Sequence, residues 1–437
     1  MAAGTLTTWI LEQEARALLT RLALVKPFVL YETMVPAAAL SPAAQLSIDR
    51  FLDVGRRRLR EQVDAFVAWL RGPAGRRADP ASAQRRFSFL RLRFNAVLTQ
   101  FDTFADAITQ RSEHEAGTWL AGLDVAAADA LALPGRFYEA PPVICYLDRG
   151  AGAAIRRART RLPGGGSNPV AIIRLPRERL IGSGIASSLV HEVGHQGAAL
   201  LDLIPSLRAM LQSRQRGSER NRLIWRLWDR WIGEIVADFW SVAKVGVAST
   251  VGLMGVVSLP RFFVFRFNID DPHPTPWLRV KLSSAIGGAL YPHPQWTTLS
   301  RLWESFYPLE GLDEERRQLL LDLQASIPAF VSVLINHRPP ALRGRSLIDV
   351  MAVHVRQPAR LAAYFRAWQA DTDRMSAAPP SLAFAVIGQA RMDGTLSPEL
   401  ESRLLMKLLT SWAMRRALDV PAGALAQRRT AAALLLN

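Results

Sequence analysis

The chain has 437 residues, a formal net charge of +16 and a single cysteine, Cys145. Its hydrophobic content of 49% is enough to bury a large core, which excludes a disordered tail and a minimal binding module. The single cysteine excludes an intramolecular disulfide and a cysteine-rich metal site. The basic residues are scattered and no nucleic-acid-binding motif accompanies them, so we expect no nucleic-acid partner.

The first residues form an apolar segment that charged side chains interrupt, which favours an amphipathic helix over a signal peptide. Those side chains are Glu12, Glu14, Arg16 and Arg21. The most apolar stretch of the chain, 245–259, is shorter than the roughly 20 residues that a membrane-spanning helix needs, and it predicts a buried helix. We therefore expect no transmembrane segment and, with one cysteine, a cytoplasmic location.

Apolar residues recur at three- and four-residue spacing up to about residue 133, which predicts helices. Two short runs rich in β-branched residues follow, at 141–148 and 169–176, and predict the strands of a small sheet. The rest of the chain is predicted to be helical, apart from an irregular proline-rich passage at 268–295.

The predicted fold class is therefore mainly α with a small β-sheet (α+β). We expect a helical N-terminal region at 1–135, a central core at 136–300 that carries the chemistry, and a helical C-terminal region at 301–437. A stripe of tryptophans, Trp225, Trp228 and Trp231, is predicted to be part of the core and not a stacking platform for bases.

One segment carries the pattern H-E-x-x-H, as His191, Glu192 and His195. On a helix that begins near residue 183 or 184, residues four apart lie on one face, so both imidazoles can bind one zinc ion. Glu192 can then accept a proton from a water that the zinc acidifies. The alternative is a chance spacing of two histidines, although the whole chain has only 7.

Two carboxylates, Glu234 and Asp238, follow four residues apart in a strongly apolar helical context. Burying two acids on one helix face is costly without a metal or cations nearby. The alternative is an ordinary surface pair, held by Arg226 or Arg230. The preceding histidine motif favours the metal site.

The combination of His191-Glu192-x-x-His195 with Glu234-x-x-x-Asp238 resembles the gluzincin clan of zinc metallopeptidases. The resemblance implies a zincin-like core, with Glu234 as the third zinc ligand. It also implies that Asp238 holds the other ring nitrogen of His191 and so fixes its orientation.

A third segment, which contains His273 and Arg279, looks like the His-Pro...Arg segment of gluzincins of the CAAX-prenyl-endopeptidase and heat-shock-protease type. By this resemblance, His273 and Arg279 would stabilise the oxyanion that forms when water attacks an amide. The alternatives are a turn histidine and a surface arginine. The chain lacks the long hydrophobic spans of the membrane-bound relatives, so the resemblance implies a soluble relative and does not extend to prenylated substrates.

In gluzincins the strand nearest the metal lies at a sheet edge and pairs with an extended substrate, and the strand predicted at 169–176 fits that position. A strand buried inside the sheet would have the same sequence pattern. The leading hypothesis is a Zn²⁺-dependent hydrolase, most plausibly a metallopeptidase acting on a peptide or protein, with a possible regulatory partner that covers the site. The alternatives are a partner-binding scaffold that keeps the metalloprotease fold, and a zinc amide hydrolase that acts on a small molecule.

Overall fold

The protein is described by a computed structural model, which covers residues 3–24, 34–150, 152–180, 182–268 and 270–434. Its fold is mainly helical with one small sheet, which confirms the predicted fold class. In chain order the helices and strands are α1 (Ala3–Leu24), α2 (Pro42–Arg71), α3 (Pro73–Arg77), α4 (Pro80–Thr109), α5 (His114–Leu131), β1 (Val143–Asp148), β2 (Ala154–Arg156), β3 (Ala171–Pro176), α6 (Ser183–Leu200), α7 (Leu203–Ser213), α8 (Glu219–Val245), α9 (Val247–Val257), α10 (Arg261–Val264), α11 (Pro276–Leu290), α12 (Gln295–Phe306), α13 (Glu314–Ile335), α14 (Leu347–Val350), α15 (Pro358–Gln369), α16 (Thr372–Ala377), α17 (Pro380–Met392) and α18 (Pro398–Leu434).

The sheet has the strand order β1-β3-β2, with β3 parallel to β1 and antiparallel to β2. The strand predicted at 169–176 corresponds to β3 and is central, so of the two positions left open the one inside the sheet is observed. The edges belong to β1 and to β2, a three-residue strand that was not predicted. Because it is short and lies in a basic segment, β2 shows no alternation of apolar and polar residues from which a strand could be inferred.

The two faces of the sheet pack against different helices, since successive side chains in a strand point to opposite sides. On one face, Ile144 and Ile172 join the core that α1, α2 and α4 form. On the other face, Cys145 and Ile173 join a larger core that runs from α5 to α18. The C-terminal helices therefore share one continuous core with α6 and α8.

Helices α6 and α8 cross at very close range. A Cβ at Gly194 would lie 2.8 Å from the Ala237 Cα and 2.9 Å from the Trp240 Cβ, distances that real Cβ atoms do not reach. Glycine costs a helix interior about 1 kcal/mol relative to alanine, and here that cost permits the two helices to approach. The glycine inside the H-E-x-x-H motif thus places the two helices at the distance that the site requires.

Two predictions from the apolar parts of the chain need correction. The passage at 268–295 is not wholly irregular, since it contains α11, which begins at Pro276. The stretch at 245–259 is buried but is not one helix, because the chain breaks at Gly246 between α8 and α9. One described helix, α13, is long and apolar enough to cross a membrane by length and composition; 39% of its apolar window is buried.

Candidate metal centre

The candidate metal centre lies where α6 and α8 meet. His191, Glu192 and His195 lie on α6, and Glu234 and Asp238 lie on α8. One ligand atom from each of His191, His195 and Glu234 can be chosen so that all three lie within 4.8 Å of one another. The carboxylates of α8 face α6, since Glu234 and Asp238 both contact His191.

One carboxylate oxygen, Oε2 of Glu234, is surrounded by imidazole nitrogens. The Nε2 atom lies 3.2 Å away in His191, 3.6 Å away in His195 and 3.2 Å away in His273. Burial alone would raise the pKa of Glu234, but hydrogen bonds from these three histidines hold it well below its usual range. Two histidines and a glutamate at this spacing could hold a metal ion.

The other ring nitrogen of His191 is held by Asp238, since Nδ1 lies 2.8 Å from Oδ1. With Nε2 against Glu234 and Nδ1 against Asp238, both nitrogens face acceptors, so a protonated ring donates to both. Burial would lower the pKa of His191, but the hydrogen bonds to Asp238 and Glu234 outweigh burial and raise the pKa to about 9. Asp238 therefore occupies the position that the resemblance implies for it.

Arg279 is brought to the centre by α11 and contacts Asp238. Its Nε and Nη2 atoms donate to the two carboxylate oxygens of Asp238, at 2.7 and 2.8 Å. Burial would raise the pKa of Asp238, but the charge of Arg279 lowers it well below the usual range. This bidentate pair keeps Asp238 ionised and fixed in orientation, so Arg279 acts on His191 through Asp238.

Glu192 is almost fully buried, with 6% of its surface exposed. Burial raises the pKa of its carboxyl, while the neighbouring His191 and His195 act in the opposite direction. No hydrogen bond or ion pair holds its carboxylate within the described residues. A buried carboxylate with a raised pKa and no partner is suited to accept and release a proton.

His273 lies at the solvent side of the centre, with 45% of its side chain exposed. The Nδ1 atom of His273 lies 2.9 Å from Oδ1 of Asp271, and the same oxygen accepts a hydrogen bond from the backbone N–H of His273. The hydrogen bond to Glu234 raises the pKa of His273 despite partial burial. Asp271 was not predicted as a site residue, although its position two residues before His273 is typical of a local side-chain to backbone turn.

Two cavities meet at His273 and Arg279, which line both. The smaller, of about 170 Å³, contains Glu192 and reaches Gly152 and Ala153, just before the edge strand β2. The larger, of about 310 Å³, has mainly apolar walls, among them Trp231, Val257, Leu259, Phe263 and Phe267. No pattern in the sequence indicates this larger cavity, because its walls come from α8, α9 and the residues around α10.

All seven predicted site residues thus lie together: His191, Glu192, His195, Glu234, Asp238, His273 and Arg279. The chain has another histidine followed by proline, His293-Pro294, and this histidine is not part of the metal-binding group found among the described residues. His293 accepts the backbone N–H of Gln295 at the start of α12. Comparison with models of protein families, with curated proteins and with solved structures found no match. Functional inference therefore depends on the motif and on the geometry of the centre.

Proposed function

We propose that this protein is a zinc-dependent hydrolase that cleaves amide bonds in peptides. The observation that carries the proposal is the grouping of His191, His195 and Glu234 around one point, with the buried and unpartnered Glu192 beside them. Zinc is favoured because two imidazoles and one carboxylate form a three-ligand set typical of catalytic zinc sites, which leave a further position open. The resemblance to gluzincins points to the same metal.

The residues around the ligands fit this assignment. Metal-binding histidines usually give their second ring nitrogen to a carboxylate, which fixes the tautomer, and Asp238 stands in that relation to His191. A network of hydrogen bonds alone would also tie the histidines to Glu234. The Oε2 atom of Glu234 lies 3.2 and 3.6 Å from the Nε2 atoms of His191 and His195, however, and ligands about 2.0–2.2 Å from one tetrahedral zinc ion would have similar separations.

When bound, zinc would supply a Lewis acid that acidifies water and polarises the substrate carbonyl. Glu192 would accept the proton of the attacking water and deliver it to the departing amine, a task that its raised pKa favours. His273, half exposed at the mouth of the centre, would donate a hydrogen bond to the oxygen of the substrate carbonyl as charge develops there. Arg279 would position Asp238 and, through it, His191.

A peptide substrate is favoured over a small molecule by the edge strand β2. Its residues 154–156 pair with β3 on one side only, within the described residues, so the other side can receive an extended chain. Gly152 and Ala153, just before this strand, line the cavity that holds Glu192. The larger apolar cavity beyond His273 is suited to a bulky apolar side chain of such a peptide.

Metal content is the measurement that tests the proposal. We expect about one zinc ion per chain in the purified protein, lost in the His195→Ala variant. The matched control is His293→Ala, which removes a histidine outside the cluster and should keep the metal. A wild-type protein that takes up no metal on titration, or a His195→Ala variant that keeps it, would contradict the assignment.

A further inference from the structure

A further cavity, separate from the two at the metal centre, lies between α2, α4 and the loop before β3. Its volume is about 460 Å³, within the range of cavities that bind small organic ligands. Four arginines line it: Arg50, Arg58, Arg93 and Arg161. None of the proposed hydrolase residues contributes to it.

These four arginines have no carboxylate partner among the described residues, and no aspartate or glutamate lines the cavity. Unpaired cations are expected in a chain with 54 basic and 38 acidic residues. Their grouping is less expected, since each of four other surface cavities includes at least one carboxylate. An uncompensated group of guanidinium ions concentrates anions from solution.

The loop that closes the cavity is anchored. The buried side chain of Gln100 donates hydrogen bonds to the carbonyls of Pro163 and Gly165. A Cβ at Gly164 would lie 2.8 Å from the Val97 backbone nitrogen, and one at Gly166 would lie 2.7 Å from the Phe51 ring. Only glycine permits these approaches, so the loop is fitted to both helices.

The floor of the cavity is apolar, formed by Phe51, Val54, Leu59 and Val97. Gln62 also lines the cavity, and its buried Oε1 accepts no hydrogen bond from the described residues. A ligand that satisfies all of these groups has an apolar or aromatic body for the floor, a hydrogen-bond donor for Gln62, and anionic groups for the arginines.

We propose that this cavity binds a small organic phosphate. Guanidinium groups form bidentate hydrogen bonds with phosphate oxygens, and four such groups match a ligand that carries more than one negative charge. The ring or chain of the ligand packs on Phe51 and its neighbours, while the phosphates face the arginines. This site is independent of the metal centre and of the proposed hydrolase activity.

Isothermal titration calorimetry with adenosine diphosphate and with inorganic pyrophosphate tests the proposal. We expect both probes to bind the wild-type protein, with adenosine diphosphate tighter because its base covers the apolar floor. The Arg58→Gln/Arg93→Gln double variant, with one change on each helix, should weaken both by at least about tenfold, since it removes two of the four guanidinium groups that would bind the phosphates. Binding should also weaken as salt rises, because the arginines are exposed.

The matched control is Arg57→Gln/Arg60→Gln, which removes the same charge from exposed positions of α2 outside the cavity and should leave binding unchanged. Circular dichroism of each variant checks that α2 and α4 are intact. Three results would overturn the proposal: no binding at millimolar probe, equal weakening in both double variants, and binding only to anionic vesicles or oligonucleotides.

Discussion

The metal centre and the arginine-lined cavity treat charge in opposite ways. At the metal centre each predicted ligand has a partner of opposite charge or a hydrogen bond, and Asp238 links His191 to Arg279. In the cavity, four arginines line one space, and none of them has a carboxylate partner among the described residues. The first region is organised from within the chain, whereas the second lacks a counter-charge that a ligand would supply.

This difference explains why the metal centre could be predicted from the sequence and the arginine-lined cavity could not. A closed network needs specific residue types at fixed helical spacing, so it leaves a motif in the sequence. An open cationic cavity needs only several arginines that folding brings together from three separate segments, 50–58, 93 and 161, and it leaves no motif.

The largest effect is expected for Glu192→Gln, which removes the proton acceptor but keeps the size of the side chain. Turnover of a peptide substrate should fall by about 10²- to 10⁴-fold, while the zinc content stays near that of the wild type. Hydrolysis of a quenched fluorescent peptide library, measured beside elemental analysis, gives both quantities. The control is Glu219→Gln, at the exposed start of α8, which should keep full activity.

Full activity in Glu192→Gln would refute this residue as the base. A wild-type protein that holds zinc but hydrolyses no peptide would favour the scaffold alternative, in which the metal is structural.

The two motifs of the candidate metal centre could be predicted because metal-binding chemistry requires side chains at fixed helical spacing. They were found from two four-residue spacings, and the structure brings His191, His195 and Glu234 to one point, with Asp238 on the other ring nitrogen of His191. The two longer strands were also found, since their β-branched runs are typical of buried strands.

The features that sequence could not supply depend on tertiary packing. Helix α11 is apolar on nearly all sides, so it has no amphipathic stripe to detect, and Pro276 at its start looked like a loop residue. Strand order is decided by which segments meet in space, which is why the sequence could not decide between an edge and a central position for β3. The bidentate contact of Arg279 with Asp238 depends on that same undetected helix.

An intermediate effect is expected for Asp238→Asn, which opens the closed network at its buried link. The change removes the charge that orients His191 and leaves Arg279 without its counter-ion, so zinc affinity should fall by about 10- to 100-fold. Competition with a chromophoric chelator measures the affinity. Asp322→Asn is the control for loss of an aspartate charge, because it breaks a more exposed pair with Arg220 away from the metal centre.

Unchanged zinc affinity in Asp238→Asn would show that His191 needs no carboxylate to orient it. If circular dichroism shows that Asp238→Asn does not fold, Arg279→Lys provides the test instead. That variant keeps the positive charge but not the bidentate geometry, and a smaller loss of zinc affinity is expected for it.

The smallest effect concerns pH and salt, to which the zinc affinity of one region and the pyrophosphate affinity of the other should respond differently. In the metal-free protein the pKa of His191 is raised to about 9, so at lower pH its ring keeps a proton that zinc must displace from Nε2. Zinc affinity should therefore fall as pH falls, by about tenfold per unit for each proton displaced. The arginines of the cavity stay charged between about pH 6.5 and 8, so their affinity for pyrophosphate should respond to salt, and its pH dependence should be only that of the ionisation of the phosphate itself. Chelator competition for zinc and calorimetry for pyrophosphate, run on the same preparation at about pH 6.5 and about pH 8, measure the two responses.

Equal zinc affinity at the two pH values would mean that His191 holds no displaceable proton. Its hydrogen bonds to Asp238 and Glu234 would then not both be donated by the ring.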